Sequence, residues 1–160
     1  MSIEEVVVNL LKERHMTVTT AESCTAGLLA GRIMNVAGAS GVYNEGHITY
    51  ANEAKERILG VKHETLEAYG AVSEETAYEM AVGAARIAHA DAALSVTGIA
   101  GPDGGTPEKP VGLVYIGCYV NGEVRVEECH FTKDRAGNRQ ESVVRALELL
   151  KSMLAHPKKQ

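Results

Sequence analysis

Three stretches of this sequence hold residues able to do chemistry. In "ASGVYNEGHITYANEAK", Ser40, Tyr43, Tyr50 and Lys55 follow one another closely. A serine hydroxyl attacks an amide only when a base removes its proton. A lysine serves if burial and neighbours keep part of it neutral, and a tyrosine hydroxyl can relay or orient that proton. Ser-Lys pairs are an established variation on the triad arrangement. Spacing alone favours a plainer account, with Lys55 a solvated helix residue and Tyr50 a core residue.

The second stretch, "TTAESCTAG", places Glu22, Ser23, Cys24 and Thr25 where a strand hands over to a helix. Helix capping explains most of it, although free helix amides beside small polar side chains also make an anion or amide site. Cys24 reads as a small buried side chain rather than a thiolate. In the third, "SVTGIAGPDGG", an apolar strand carrying Thr97 runs into a loop, and Gly98 to Gly105 holds four glycines and one proline. Backbone amides can approach a ligand there, or the glycines only satisfy turn geometry. The loop has neither Walker A nor G-x-G-x-x-G spacing. Further on, "FTKDRAGNRQ" sets Arg135 and Arg139 near a helix start, suited to phosphate or else simply solvated behind an Asp134 cap.

Other chemistries fit poorly. The six histidines are scattered, with His47 the one nearest these stretches, and none has metal-ligand spacing. We expect no metal and no cofactor. Cys24, Cys118 and Cys129 form neither a disulfide framework nor a C-x-x-C pair, which fits a reducing compartment. A net charge of -5 gives no general attraction to nucleic acid or anionic membranes. The N-terminus lacks the basic start and apolar run of a signal peptide, and no stretch is long and apolar enough to span a bilayer. A soluble cytoplasmic protein is expected.

The elements that must position these residues follow from periodicity. Ile3, Val6, Val7, Leu10 and Leu11 predict a first amphipathic helix over residues 2 to 15, followed by a short strand at Thr17 to Thr20. A second helix is expected from Ser23 to Thr25 onward, a short strand at "HITYA", and a helix capped by Asn52 that carries Lys55 in its first turn. Ser73 caps a long Ala-rich helix to about His89, and "AALSVTGIA" is a strand. "VGLVYIGCYV", Asn121-Gly122 and "EVRVEECHF" read as a β-hairpin, and a last amphipathic helix closes the fold before a frayed "HPKKQ" tail. With 160 residues at 45% hydrophobic content, one domain over 1-160 is expected. The fold class is α/β, a three-layer α/β/α sandwich with a mixed, mostly parallel sheet and an antiparallel hairpin.

Together, "TVTTAESCTAG", "GVYNEGHITYANEAKERILGV", "YGAVSEETAYEMAVGA" and "VTGIAGPDGGTPEKPVGLVYIG" resemble the C-terminal domain of the competence/damage-inducible protein CinA, the nicotinamide-nucleotide amidohydrolase (PncC) family. The resemblance implies hydrolysis of the carboxamide of nicotinamide mononucleotide to nicotinate mononucleotide and ammonia, without a cofactor. It implies Ser40 as nucleophile, Lys55 as general base and Tyr50 as an aromatic hydroxyl beside them. Ser23 and Thr97 match polar positions of the pocket, Gly98 and Gly101 lie on its Gly-rich edge, and either Arg135 or Arg139 would meet the phosphate. Ala39 stands where relatives often have a second serine, and Lys133 where a glycine often precedes the Asp-Arg pair. A non-catalytic nucleotide-binding module is the alternative, a DNA-handling role is disfavoured by charge, and a homodimer or higher homo-oligomer is expected.

Overall fold

Ser2 starts the first helix by a capping box: its hydroxyl accepts from the Glu5 amide, and the Glu5 carboxylate accepts from the Ser2 amide. This computed structural model describes residues 1–155, so the expected "HPKKQ" tail lies outside the described residues. The helix, α1 (Ile3–Glu13), leads into β1 (Val18–Glu22), whose five residues are all buried. There follow α2 (Leu28–Met34), a single 3-10 turn (Ala39–Gly41), β2 (His47–Ile48), α3 (Asn52–Leu59) and α4 (His63–Tyr69). The second half comprises α5 (Glu74–Ala88), β3 (Ala92–Gly98), β4 (Leu113–Val120), β5 (Glu123–His130) and α6 (Arg135–Ala155).

The sheet order is β2-β1-β3-β4-β5. β1 pairs in parallel with β2 and with β3, while β3, β4 and β5 run antiparallel, so the mixed sheet divides evenly between the two kinds of pairing. Alternation along the strands separates two cores. Val18, Leu94 and Val96 face a layer that includes α1, α2 and α6, whereas Ala21 and Ala93 face Leu59, Leu66, Met80 and Ala84 on α3, α4 and α5. The three-layer sandwich is thus present, and it puts the C-terminal ends of β1 and β3 side by side.

The local differences from expectation lie around the site. "HITYA" forms a strand over two residues only. The N-cap of α3 is Ala51 rather than Asn52, which becomes the first helical residue. α4 was not foreseen, because seven residues give too little periodicity to separate it from the preceding helix. α2 begins at Leu28, after a turn in which Ala26 and Gly27 both take positive φ.

Candidate active site

β1 ends in Glu22 and hands over to Ser23, whose amide still donates to the Val96 carbonyl of β3. The Glu22 side chain does not enter the cavity. It is 1% exposed and turns under the chain to accept from the amides of Leu29, at 2.8 Å, and Ala30, at 3.1 Å. A carboxylate on the first turn of α2 satisfies amides that Gly27, with no side chain, cannot cap. This folds residues 24–27 into a tight turn with Ser23 at its entrance.

Lys55 projects from the first turn of α3 toward that entrance and is 1% exposed. Its Nζ lies 3.0 Å from Ser23 Oγ, 2.9 Å from the Thr49 carbonyl and 2.9 Å from the Tyr50 carbonyl. An ammonium would donate to all three. A neutral amine has two N–H groups for the two carbonyls and keeps a lone pair for the serine proton. Burial lowers the lysine to about 8, so at about pH 7.5 roughly a quarter of it is neutral. Burial has the opposite effect on Cys24, whose thiol is pushed up to about 11 and stays protonated.

Around this pair lies a cavity of about 280 Å³, whose walls include Ser23, Lys55, Tyr50, Thr97, Gly101 and Arg135. Ala71, Val72 and Asp103 join them; their stretches were singled out in the sequence, but none of the three was expected as a site residue. Thr97 donates its hydroxyl proton to the Ala71 carbonyl at 2.8 Å, so it tethers the α4–α5 connection and offers the cavity acceptor lone pairs only. Among the described residues no main-chain carbonyl accepts from the amides of Cys24 or Thr25. Of the two residues, Cys24 lines the cavity, which sets its amide beside Ser23 where an anionic oxygen could meet it.

The family model for the CinA C-terminal domain matches residues 1–154. The chain belongs to the CinA C-terminal domain family. Curated relatives include a CinA-like protein of Kosmotoga olearia, 57% identical over 96% of this chain, and a competence-damage inducible protein of Clostridium novyi, 53% identical over 96%. The chain spans 37% of the length of either. Among solved structures, the competence/damage inducible protein CihA of Agrobacterium tumefaciens is 44% identical, with a TM-score of 0.92 and 96% of each chain covered. A CinA superfamily protein of Klebsiella pneumoniae is 36% identical, with a TM-score of 0.93 and 96% of each chain covered.

Within this CinA-type fold, Ser40, which the resemblance implied as nucleophile, does not meet Lys55. It sits exposed on the 3-10 turn, whose successor Val42 accepts from the Val18 amide at the start of β1. Ser23 lies past the other end of that strand, about 17 Å away at the usual rise per residue. Gly41 borders a separate surface cavity with Lys12, His15 and Thr17. The sheet therefore stands between Ser40 and Lys55, and the serine in contact with the lysine is Ser23.

Two further expectations change. Tyr50 lines the cavity, but it meets Lys55 through its main-chain carbonyl, and the residue is 65% exposed at the rim. Arg139 uses Nε and Nη2 on the carbonyls of Cys24, at 2.9 Å, and Thr25, at 3.2 Å, so it braces the turn after the serine. Arg135 does face the cavity, anchored by Nη1 on the Gly101 carbonyl at 2.7 Å. Gly98 and Gly101 line the same edge. Asn138, buried at the head of α6, holds the Ala100 carbonyl at 3.0 Å and fixes the root of this loop. Among the described residues no cluster of His, Cys, Asp or Glu could hold a metal, and no helix is long and apolar enough to cross a membrane.

Proposed function

We propose that this chain is a Ser-Lys amidohydrolase that converts the carboxamide of nicotinamide mononucleotide to the carboxylate, releasing ammonia. The observation that carries the reading is Lys55 Nζ, buried, held by two carbonyls and 3.0 Å from Ser23 Oγ. A buried lysine without a carboxylate partner is costly unless its neutral form is used. The substrate itself comes from the resemblance of the sequence motifs.

In the forward step neutral Lys55 takes the Ser23 proton as Oγ bonds to the carboxamide carbon, whose oxygen becomes the oxyanion. The Cys24 amide, on the cavity wall, is the donor assigned to that charge, a stabilisation typically worth about 3 kcal/mol per donor. Collapse breaks the C–N bond, and the lysine proton leaves on ammonia. Water then adds to the acyl-serine, giving a proton to Lys55, which returns it to Ser23 as nicotinate mononucleotide departs. Three free buried cysteines support placing this chemistry in the cytoplasm.

Incubating purified protein with nicotinamide mononucleotide and EDTA, and measuring ammonia with nicotinate mononucleotide, tests the reading. Product in wild type and none in Ser23→Ala is expected. Nucleotide binding without ammonia release would refute it in favour of a binding module.

A further inference from the structure

The two edges of the sheet differ. β2 closes one side with two residues, whereas β5 leaves eight along the other, Glu123–His130, in an unbroken register with β4. Asn121 and Gly122 both take positive φ, the two-residue turn that makes Val120 and Glu123 a hydrogen-bonded pair. At the far end the Phe131 amide donates to the Gly112 carbonyl, which keeps the same phase. Glu123, Arg125, Glu127 and Cys129 therefore turn their main-chain groups toward β4, while Val124, Val126, Glu128 and His130 turn theirs away. Among the described residues no main-chain group bonds to that outer edge.

Charges on an open edge commonly block its pairing with other chains. On β5 they alternate in sign along one face. Glu123, Arg125 and Glu127 share the side on which Cys129 is buried, and Glu127 accepts from Arg145 of α6 at 2.7 Å. Val124 and Val126, on the other face, are half-buried.

A second copy related by a two-fold axis must lie antiparallel, with outward-turned residues opposite outward-turned residues. That leaves three registers near the middle of the strand. With Arg125 on the axis, arginine opposes arginine, and Glu123 opposes the partner's Glu127. With Glu127 on the axis, glutamate opposes glutamate. With Val126 on the axis, Arg125 and Glu127 face their opposites twice over, Val126 meets its own copy, and about six main-chain hydrogen bonds join the edges. Like charges directly opposite destabilise a strand pair and unlike charges stabilise it, so the pattern selects the third register against its neighbours.

We propose that β5 pairs antiparallel with β5 of a second copy of this chain about an axis at Val126, so that the two sheets continue into one. Neither Ser23 nor Lys55 takes part.

Light scattering on protein eluting from a sizing column tests the pairing. The wild-type chain is expected at twice its 17.1 kDa mass. Val126→Pro removes an outward donor without touching the β4 ladder, so it should elute as a monomer with an unchanged far-ultraviolet dichroism spectrum. Arg125→Glu and Glu127→Arg should each be monomeric alone, because like charges then oppose across the axis. Mixed in equal amounts, the two should dimerise with each other, since every opposing pair is again of unlike charge. A monomeric wild type, a dimer that survives Val126→Pro, or a mixture that stays monomeric overturns the proposal.

Discussion

Lys55 Nζ and Ser23 Oγ are 3.0 Å apart and come from different elements, the first turn of α3 and the end of β1. The pairing makes a direct comparison between two serines. Ser23→Ala should lower turnover at least about a thousandfold, the usual scale for losing a covalent nucleophile. Ser40→Ala, on the far side of the sheet, should stay within about twofold. Steady-state ammonia release by both variants checks this, and a large loss in Ser40→Ala with none in Ser23→Ala would reverse the assignment.

The pH dependence follows from Lys55. Its folded value, about 8, lies below the ordinary lysine value of 10.5 because burial opposes the charge. The base form therefore grows as pH rises, and kcat/KM should climb about tenfold per unit below about pH 8 and level above it. Stability moves in the same direction. Between about pH 8 and 10.5 the unfolded chain holds the proton that the folded chain has lost, so unfolding free energy gains from this group as pH rises. The full penalty, roughly 3 kcal/mol, is present below about pH 8. Lys55→Met should abolish the activity limb and flatten the urea midpoint across that window. A rate profile flat from about pH 6 to 9 would count against the lysine as base.

Much of this site was legible from residue types, and the parts that were not share a cause. The Gly-rich end of β3, the helix carrying Lys55 and the strand-to-helix passage at Ser23 all have local signatures, and each is present. Pairing between them is not local. Ser40 is fewer residues from Lys55 than Ser23 is, but β1 runs its length between the two serines, and only the parallel register Glu22↔Ile48 shows which end of the sheet Lys55 serves. Arg139 likewise looks free in sequence, because the carbonyls it binds lie 115 and 114 residues away.

Arg139 acts through main-chain groups. Its grip on the Cys24 and Thr25 carbonyls fixes the turn that carries the Cys24 amide beside Ser23. Arg139→Met should therefore lower kcat by about ten- to a hundredfold with KM changing about threefold or less, since loosened donors cost transition-state stabilisation first. Arg139→Lys should recover only part, because one ammonium cannot reproduce the planar two-carbonyl grip. A variant whose KM rises with kcat intact would instead mark Arg139 as a substrate contact.

Gly83 and Gly31 predict opposite outcomes from the same substitution. On α5, a Cβ at Gly83 would sit 1.9 Å from the Leu59 carbonyl, at the end of the helix that carries Lys55. Gly83→Ala must push α3 outward, costing about 1–3 kcal/mol and pulling Lys55 away from Ser23, so stability and kcat should fall together. On α2, a Cβ at Gly31 would meet nothing within 4 Å. Gly31→Ala should therefore gain about 0.5–1 kcal/mol from reduced unfolded-state freedom and better helix propensity, with activity retained. Thermal unfolding of the two variants, run beside ammonia release, decides the matter. If Gly83→Ala kept both melting temperature and kcat, close packing of α5 against α3 could not be what positions the lysine.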